Sequence, residues 1–331
     1  MALVNEIRDP QSRVRLFFDD NFPRLREQLA LADGRLIARL TPESSGVMPT
    51  GKVTWRPGKP VVIPRSGAPL PYPWPLVGMA FDYRLRFLFG PSDVNRLGAW
   101  IGANDLSNLE GAQGRSPSLG LMVDMVDHIN EMSFSEFDIS RGCYVMALLE
   151  SVARGGNGGA LPPDILRTLH GDWSTSLDDA LSLCNDVVAN DITELANLFV
   201  ATQPDIVNST SFITNPTFVG SEFIGGADAD FIADRVLIDI KTTTKNEFPT
   251  SHLYQIIGYA LLDWNDNFQL NGVGVYFARQ GITISWLLDE FIDRATEHRL
   301  TLETARDQFR EIVGGYEREE RGRVMMGSLT H

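Results

Sequence analysis

Apolar residues recur at helical spacing from Asp9 to Ala32, where Val14, Leu16, Phe17, Phe22, Leu25 and Leu29 form a stripe that Pro23 interrupts. Helical patterns return at Phe81 to Phe89 and at Arg141 to Arg154, with residues 90 to 140 reading as an irregular or helical insertion. A long amphipathic helix is expected over Ser176 to Thr202, opened by Ser176 and Asp179 in capping-box spacing. The character then changes. Residues 219 to 243 alternate as strands do, 251 to 263 return to helix, and Val273 to Arg279 with Ile282 to Leu288 read as a hairpin around Gln280-Gly281. A charged helix from about Asp289 to Val313 closes the pattern, with Gly314-Gly315 as its expected stop. From Thr41 to Pro75 the density of proline predicts loop or extended chain, and Gly155 to Gly159 reads as the boundary between two parts. The expectation is an α/β fold. A mainly helical N-terminal region with a Pro-rich basic loop (1–155) precedes a core (156–331) built on a small mixed sheet of four or five strands flanked by helices.

Composition narrows the chemistry. With 43% apolar and 22% charged residues the chain has the balance of a soluble globular protein. No apolar run reaches the length of a membrane span and the start lacks a signal-peptide pattern, so a cytoplasmic setting without membrane contact is the default expectation. Cys143 and Cys184 form no CxxC pair, and the histidines (His128, His170, His252, His298, His331) show no paired-ligand spacing, which argues against thiolate zinc sites and iron–sulfur clusters. The Gly155 to Gly159 run lacks the Lys-Ser/Thr of a phosphate loop. The formal net charge of −14 opposes a nucleic-acid partner when taken alone, but it is uneven. Residues 1 to 100 hold 14 of the 29 basic and 9 of the 43 acidic residues, a balance of +5; the remainder, with 15 and 34, stands at −19. If a phosphate backbone docks anywhere, the N-terminal part is the better candidate, where Lys52, Arg56, Lys59 and Arg65 are spread through the Pro-rich segment beside Trp55 and Trp74; the bland alternatives are solvated surface charge and aromatics that anchor the loop to the core.

The most informative stretch runs from Gly225 to Thr243. It reads as two strands joined by a two-residue turn at Asp234-Arg235 or by a four-residue loop, since Asp-Arg is not a favoured hairpin pair. Both lengths give one register: Asp230 faces Asp239, Asp228 faces Lys241, and all four side chains leave the same face. Facing carboxylates destabilise a ladder by roughly 0.2–1 kcal/mol, and more among the apolar neighbours Phe231, Ile232, Val236, Leu237, Ile238 and Ile240. A hard divalent cation would remove that repulsion, with Lys241 beside it to steer a water or phosphate. The bland alternative is a cross-strand Asp228–Lys241 ion pair with Asp239 exposed.

A strand Asp, a hydrophobic strand bearing D-x-K, following threonines and a helix with Q-x-x-x-Y together resemble the PD-(D/E)XK nuclease superfamily, in particular its RecB-like branch. The matching residues are Asp230, Asp239, Lys241, Thr242, Thr243, Gln255 and Tyr259, and the resemblance covers about residues 176 to 288. It implies a restriction-endonuclease-like core and metal-dependent hydrolysis of phosphodiester bonds in DNA, in a repair or phage-defence setting. It further implies that Asp230 and Asp239 hold one or two Mg²⁺ (or Mn²⁺) ions with the Ile240 carbonyl, and that Lys241 orients and helps deprotonate the attacking water. Gln255 and Tyr259 would support the phosphate or the metal-bound shell, with Thr242, Thr243, Lys52 and Arg56 as substrate contacts. Relatives often use a third carboxylate from the preceding helix; Glu194 is the choice here and Glu222 the reserve. The expected partner is DNA, with a protein partner of a defence or repair complex and a homo-oligomer both compatible. The rival expectation is a non-catalytic or partner-activated binding subunit on the same fold.

Overall fold

The computed structural model describes residues 3–31, 45–47, 53–55, 57–108, 117–155, 161–170 and 175–328, and the fold is α/β with a five-stranded mixed sheet. Helices α1 (Leu3–Arg8) and α2 (Arg13–Asn21) are followed by a 3-10 turn at Leu25–Leu31 and by the antiparallel pair β1 (Ser45–Val47) and β2 (Val53–Trp55). Then come α3 (Trp74–Leu88), α4 (Gly98–Asn108), α5 (Pro117–Asn130), α6 (Glu136–Gly155), α7 (Pro163–His170), α8 (Leu177–Leu181) and α9 (Asp186–Thr202). The last part holds α10 (Pro204–Val207), β3 (Phe212–Thr214), β4 (Phe231–Ala233), β5 (Val236–Lys241), α11 (Thr250–Leu262), β6 (Gly272–Phe277), β7 (Ile282–Leu287), α12 (Leu288–Ala295) and α13 (Leu302–Ser328).

The chain forms two compact units: Met1–Lys59 with Gln203–Lys241 and Lys245–His331, and Pro60–Thr202 with Thr242–Thr244. This differs from the expected division at 155/156. The reason is aromatic packing across the length of the chain. Phe17 and Phe18 of α2 lie 5.2 and 5.7 Å from Phe309 of α13, and Phe18 stacks on Tyr254 of α11 at 5.0 Å, so the N-terminal helices complete the core of the sheet unit. Gly155 is the end of α6, and residues 156–160 of the expected boundary lie outside the described residues, as do Lys52 and Arg56.

In the sheet unit the strand order is β3-β4-β5-β6-β7. Neighbours are antiparallel except β5 and β6, which run parallel and are joined by α11 in the usual crossover manner. Ile232, Leu237, Val273, Val275 and Phe277 share one buried cluster with Leu253, Ile256, Ile257 and Ala260 of α11. Each fully buried aliphatic side chain of this kind contributes about 1.5–3 kcal/mol. Because side chains alternate along a strand, the residues continuing that face past Leu237 are Asp239 and Lys241. The apolar face that docks α11 therefore runs into a charged end.

The helical unit centres on α6, against which α4 packs closely: a Cβ on Gly102 would stand 1.7 Å from the Leu149 carbonyl oxygen. Within it the Tyr83 hydroxyl bonds Glu150 and receives the Ala99 amide at 2.8 Å, and Asp82 is ion-paired with Arg86.

Several expected elements have other bounds. The helix expected over 176–202 is two, α8 and α9; the capping box of Ser176 and Asp179 is present, and the Asn185 carboxamide oxygen accepts the Val187 amide at the second start. Residues 219–224 form a 3-10 turn rather than strand, closed by Gly225 at φ 76° and tied down by the Ser221 hydroxyl on the Ala227 carbonyl at 2.6 Å. The expected terminal helix breaks after Ala295, and Gly314-Gly315 does not stop it, since α13 continues to Ser328. Residues 90–140 contain α4, α5 and the start of α6.

Candidate active site

The β4–β5 hairpin has the shorter of the two expected turns. Ala233 pairs with Val236, and Asp234 and Arg235 form the turn with φ of 45° and 69°. Arg is a poor residue for positive φ, so tertiary bonds hold the turn. The Asp234 Oδ1 accepts the amides of Thr210 and Ser211 and the Thr210 hydroxyl at 2.8–3.0 Å, while Arg235 Nε donates to the Gln269 carbonyl at 2.5 Å. The ladder runs from Ala233↔Val236 to Phe231↔Ile238, and its next step sets Asp230 against Asp239, the expected register.

Beyond Phe231 the backbone of β4 leaves the ladder and the Asp230 side chain takes its place: the Ile240 amide donates to Asp230 Oδ2. In a strand the N–H and C=O of one residue point to the same edge, so the Ile240 carbonyl is directed toward the Asp230 side as well. The Asp239 carboxylate is almost fully buried, 3% exposed. Its Oδ2 lies 2.5 Å from Lys241 Nζ, a close ion pair whose angle does not make a hydrogen bond. Lys241 Nζ donates to Gln255 Oε1 at 2.9 Å, and Gln255 Nε2 donates to the Tyr259 hydroxyl oxygen at 2.8 Å. Since an ammonium only donates, Lys241 fixes which way the Gln255 amide points. Asp239, Lys241, Gln255 and Tyr259 are thus one connected array reaching from β5 to the facing side of α11. Burial, and then the negative charges of Asp239, Asp230 and Asp228, push the Tyr259 phenol well above its ordinary range, so it stays protonated. The Asp228–Lys241 pair does not form; Asp228 is exposed and is approached by the Thr217 hydroxyl at 3.4 Å.

The remaining expected site residues are placed elsewhere. Glu194 belongs to the helical unit, on α9, where it is ion-paired with Arg65. Glu222 lies in the 3-10 turn before Gly225 and is exposed. Thr242 and Thr243 directly follow β5, half-buried, and are counted with the helical unit. There the Thr242 hydroxyl would lie 2.8 Å from a Cβ on Gly78. Lys59 sits beside Gly58, whose amide donates to Asn246 Oδ1 at 2.8 Å, tying the middle of the Pro-rich segment to the loop after D-x-K. Among the described residues no group of three or more His, Cys, Asp or Glu side chains is arranged to hold a metal ion.

One further residue of this region, a histidine, carries no paired-ligand spacing in the sequence. His252 precedes Gln255 and Tyr259 at i, i+3 and i+7 on α11, a spacing that puts all three on one helix face and could have marked it. Its Nδ1 is buried without a hydrogen-bond partner, and its ring packs on Phe248 at 5.6 Å between centroids. Burial, with the positive charges of Lys241 and Arg8, pushes its pKa down to about 3, so the imidazole is neutral.

Comparison of the chain with known protein families, curated proteins and solved structures gave no match.

Proposed function

We propose that the chain hydrolyses phosphodiester bonds in DNA with Mg²⁺ or Mn²⁺, on a core of the PD-(D/E)XK type. The observation that carries the reading is the array of Asp239, Lys241, Gln255 and Tyr259, with the Asp230 carboxylate fixed beside it by the Ile240 amide. The donor chemistry fits the cation. Magnesium takes one or two protein carboxylates and fills its remaining positions with waters and substrate oxygens, so the lack of a third acidic side chain is compatible with it. The buried Asp239 Oδ2, in ion contact but outside any well-angled hydrogen bond, keeps acceptor capacity for such an ion.

Asp230, Asp239 and the Ile240 carbonyl would hold the ion, which when bound supplies Lewis-acid stabilisation of the phosphoryl oxygens and acidifies a water. Lys241 donates one N–H to Gln255 and lends its charge to Asp239; its remaining donor capacity is left for a non-bridging phosphate oxygen, whose growing charge it stabilises. Gln255 restrains the lysine, and the protonated Tyr259 restrains Gln255 in turn. A second reading, a binding subunit that does not cleave, is favoured by the fact that Lys241 already neutralises Asp239 and that Arg65 engages Glu194.

Labelled single-stranded, double-stranded and circular DNA, with RNA alongside, separates the two. In Mg²⁺ or Mn²⁺ the wild type should cut and Lys241→Ala should not, and EDTA should stop cleavage by the wild type. Absence of cleavage in every arm favours the binding subunit.

A further inference from the structure

Helix α1 is held on α11 at close range. Gly258 lies between Gln255 and Tyr259, and a Cβ there would stand 2.9 Å from Leu3 Cδ2, so only glycine lets the two helices approach this far without Leu3 shifting. Arg8 is the last residue of α1; it is exposed and has no ion-pair partner among the described residues. Arg15 lies over the Tyr254 ring at 4.9 Å and donates to the Ile7 carbonyl, so the Arg8 end of α1 is held at the His252 end of α11, where the charges of Arg8 and Lys241 both reach the imidazole. The His252 ring is fixed through Phe248, which packs at 5.5 Å on Phe277, the residue paired with Lys241 in the β5–β6 ladder.

Of the two ring nitrogens, Nδ1 is sealed from solvent with nothing to bond. A neutral imidazole carries one N–H. Either tautomer leaves a group enclosed at Nδ1, so the accessible Nε2 is the nitrogen a ligand can meet, and toward an anion the Nε2–H form is the one that donates. The chain thus presents a neutral Nε2–H donor and an unpaired guanidinium beside the Lys241 array. That combination suits an anion with several oxygens. Guanidinium gives charge and paired donors to a phosphate, and a neutral N–H adds direction without a second desolvated charge.

Resting on the phosphodiesterase reading above, we propose that Arg8 and His252 form a subsite for a phosphate flanking the scissile one, so that the substrate is a polynucleotide strand rather than a free nucleotide. Helix α1 is then part of the substrate site, and the basic balance of the first hundred residues gains a local role at Arg8.

The test uses the full chain and a fluorescent single-stranded oligonucleotide, with binding followed by anisotropy in Ca²⁺ and cleavage followed separately in Mg²⁺. Arg8→Gln should weaken binding about tenfold at low salt and lower the slope of log affinity against log salt by about one. His252→Leu should weaken it severalfold, and His252→Gln, which keeps a donor near the position of Nε2, should recover most of that loss. Replacing single phosphates by neutral methylphosphonates should locate one flanking linkage whose neutralisation weakens wild type but not Arg8→Gln. In cleavage the same variants should raise KM and leave kcat near wild type. Binding that changes as described without any cleavage would keep the subsite and remove the catalytic reading. Cleavage with unchanged KM, salt slope and linkage pattern in the variants would overturn the subsite alone. Unchanged binding together with absent cleavage would overturn both.

Discussion

Replacing Lys241 by Met keeps most of the apolar stem of the side chain and removes the ammonium, and with it the charge beside Asp239 and the hydrogen bond to Gln255. In the folded chain Lys241 Nζ lies 2.5 Å from an Asp239 carboxylate whose side chain is 4% exposed, while the lysine side chain is 17% exposed. Removing one partner of a buried pair costs about 3–5 kcal/mol, chiefly because the other charge is left desolvated. The partial exposure of the lysine places this pair at the lower end, about 3 kcal/mol. With the unit's melting governed by a size of 150–250 residues, that corresponds to roughly 6–12 °C in Tm. The same account predicts rescue. A divalent cation at a hundred times its Kd adds about 2.7 kcal/mol, so Mn²⁺ should restore most of the loss in Lys241→Met. Urea denaturation in EDTA and in Mn²⁺ measures both quantities, and Asp239→Asn/Lys241→Met isolates the coupling, since the double variant has no stranded charge. A Lys241→Met protein within about 0.5 kcal/mol of wild type in EDTA would refute the reasoning, because Asp239 would then be compensated by something other than its lysine.

Gly102→Ala should destabilise the helical unit by about 3 kcal/mol or more, because its Cβ would meet the Leu149 backbone at 1.7 Å, whereas Gly120→Ala on α5 has open space and should be neutral or stabilising; chemical denaturation of both separates steric cost from helix propensity. Acid should weaken the fold through His252. Its folded pKa is lowered from 6.5 to about 3, so between those values the unfolded chain binds more protons; this part of the stability is complete above pH 6.5 and is lost as pH falls toward 3. His252→Gln should flatten that region of the stability–pH curve, and an unchanged slope would contradict the assignment.

The hairpin register was legible from the sequence because strand alternation is a local rule and the turn position is bounded by the apolar runs on either side. Asp230 opposite Asp239, and Gln255 with Tyr259 on one helix face, follow from spacing alone. The turn length is not legible in the sequence because Asp234 and Arg235 take positive φ only through bonds to Thr210, Ser211 and Gln269, residues remote in sequence. The helix through Gly314-Gly315 is hidden from the sequence for a similar reason. The stop signal of two glycines is overridden where α13 packs through Phe309 on Phe17 and Phe18, and at Gly315 a Cβ would lie 3.0 Å from Arg13 Nη1. The same long-range aromatic packing moved the N-terminal helices into the sheet unit. Glu194 shows the limit in the site itself. Its place on a helix was readable, but its ion pair with Arg65, 129 residues away, was not.

Everything proposed for the function depends on whether Asp230 and Asp239 hold a divalent cation. Calorimetric titration of Mn²⁺ into the wild type and into Asp239→Asn, each verified as folded by circular dichroism, measures this directly. The account predicts saturable binding to the wild type and its loss in the variant. No binding to the wild type, or equal binding to both, would contradict it and leave the buried Asp239–Lys241 pair as an ion pair without a metal.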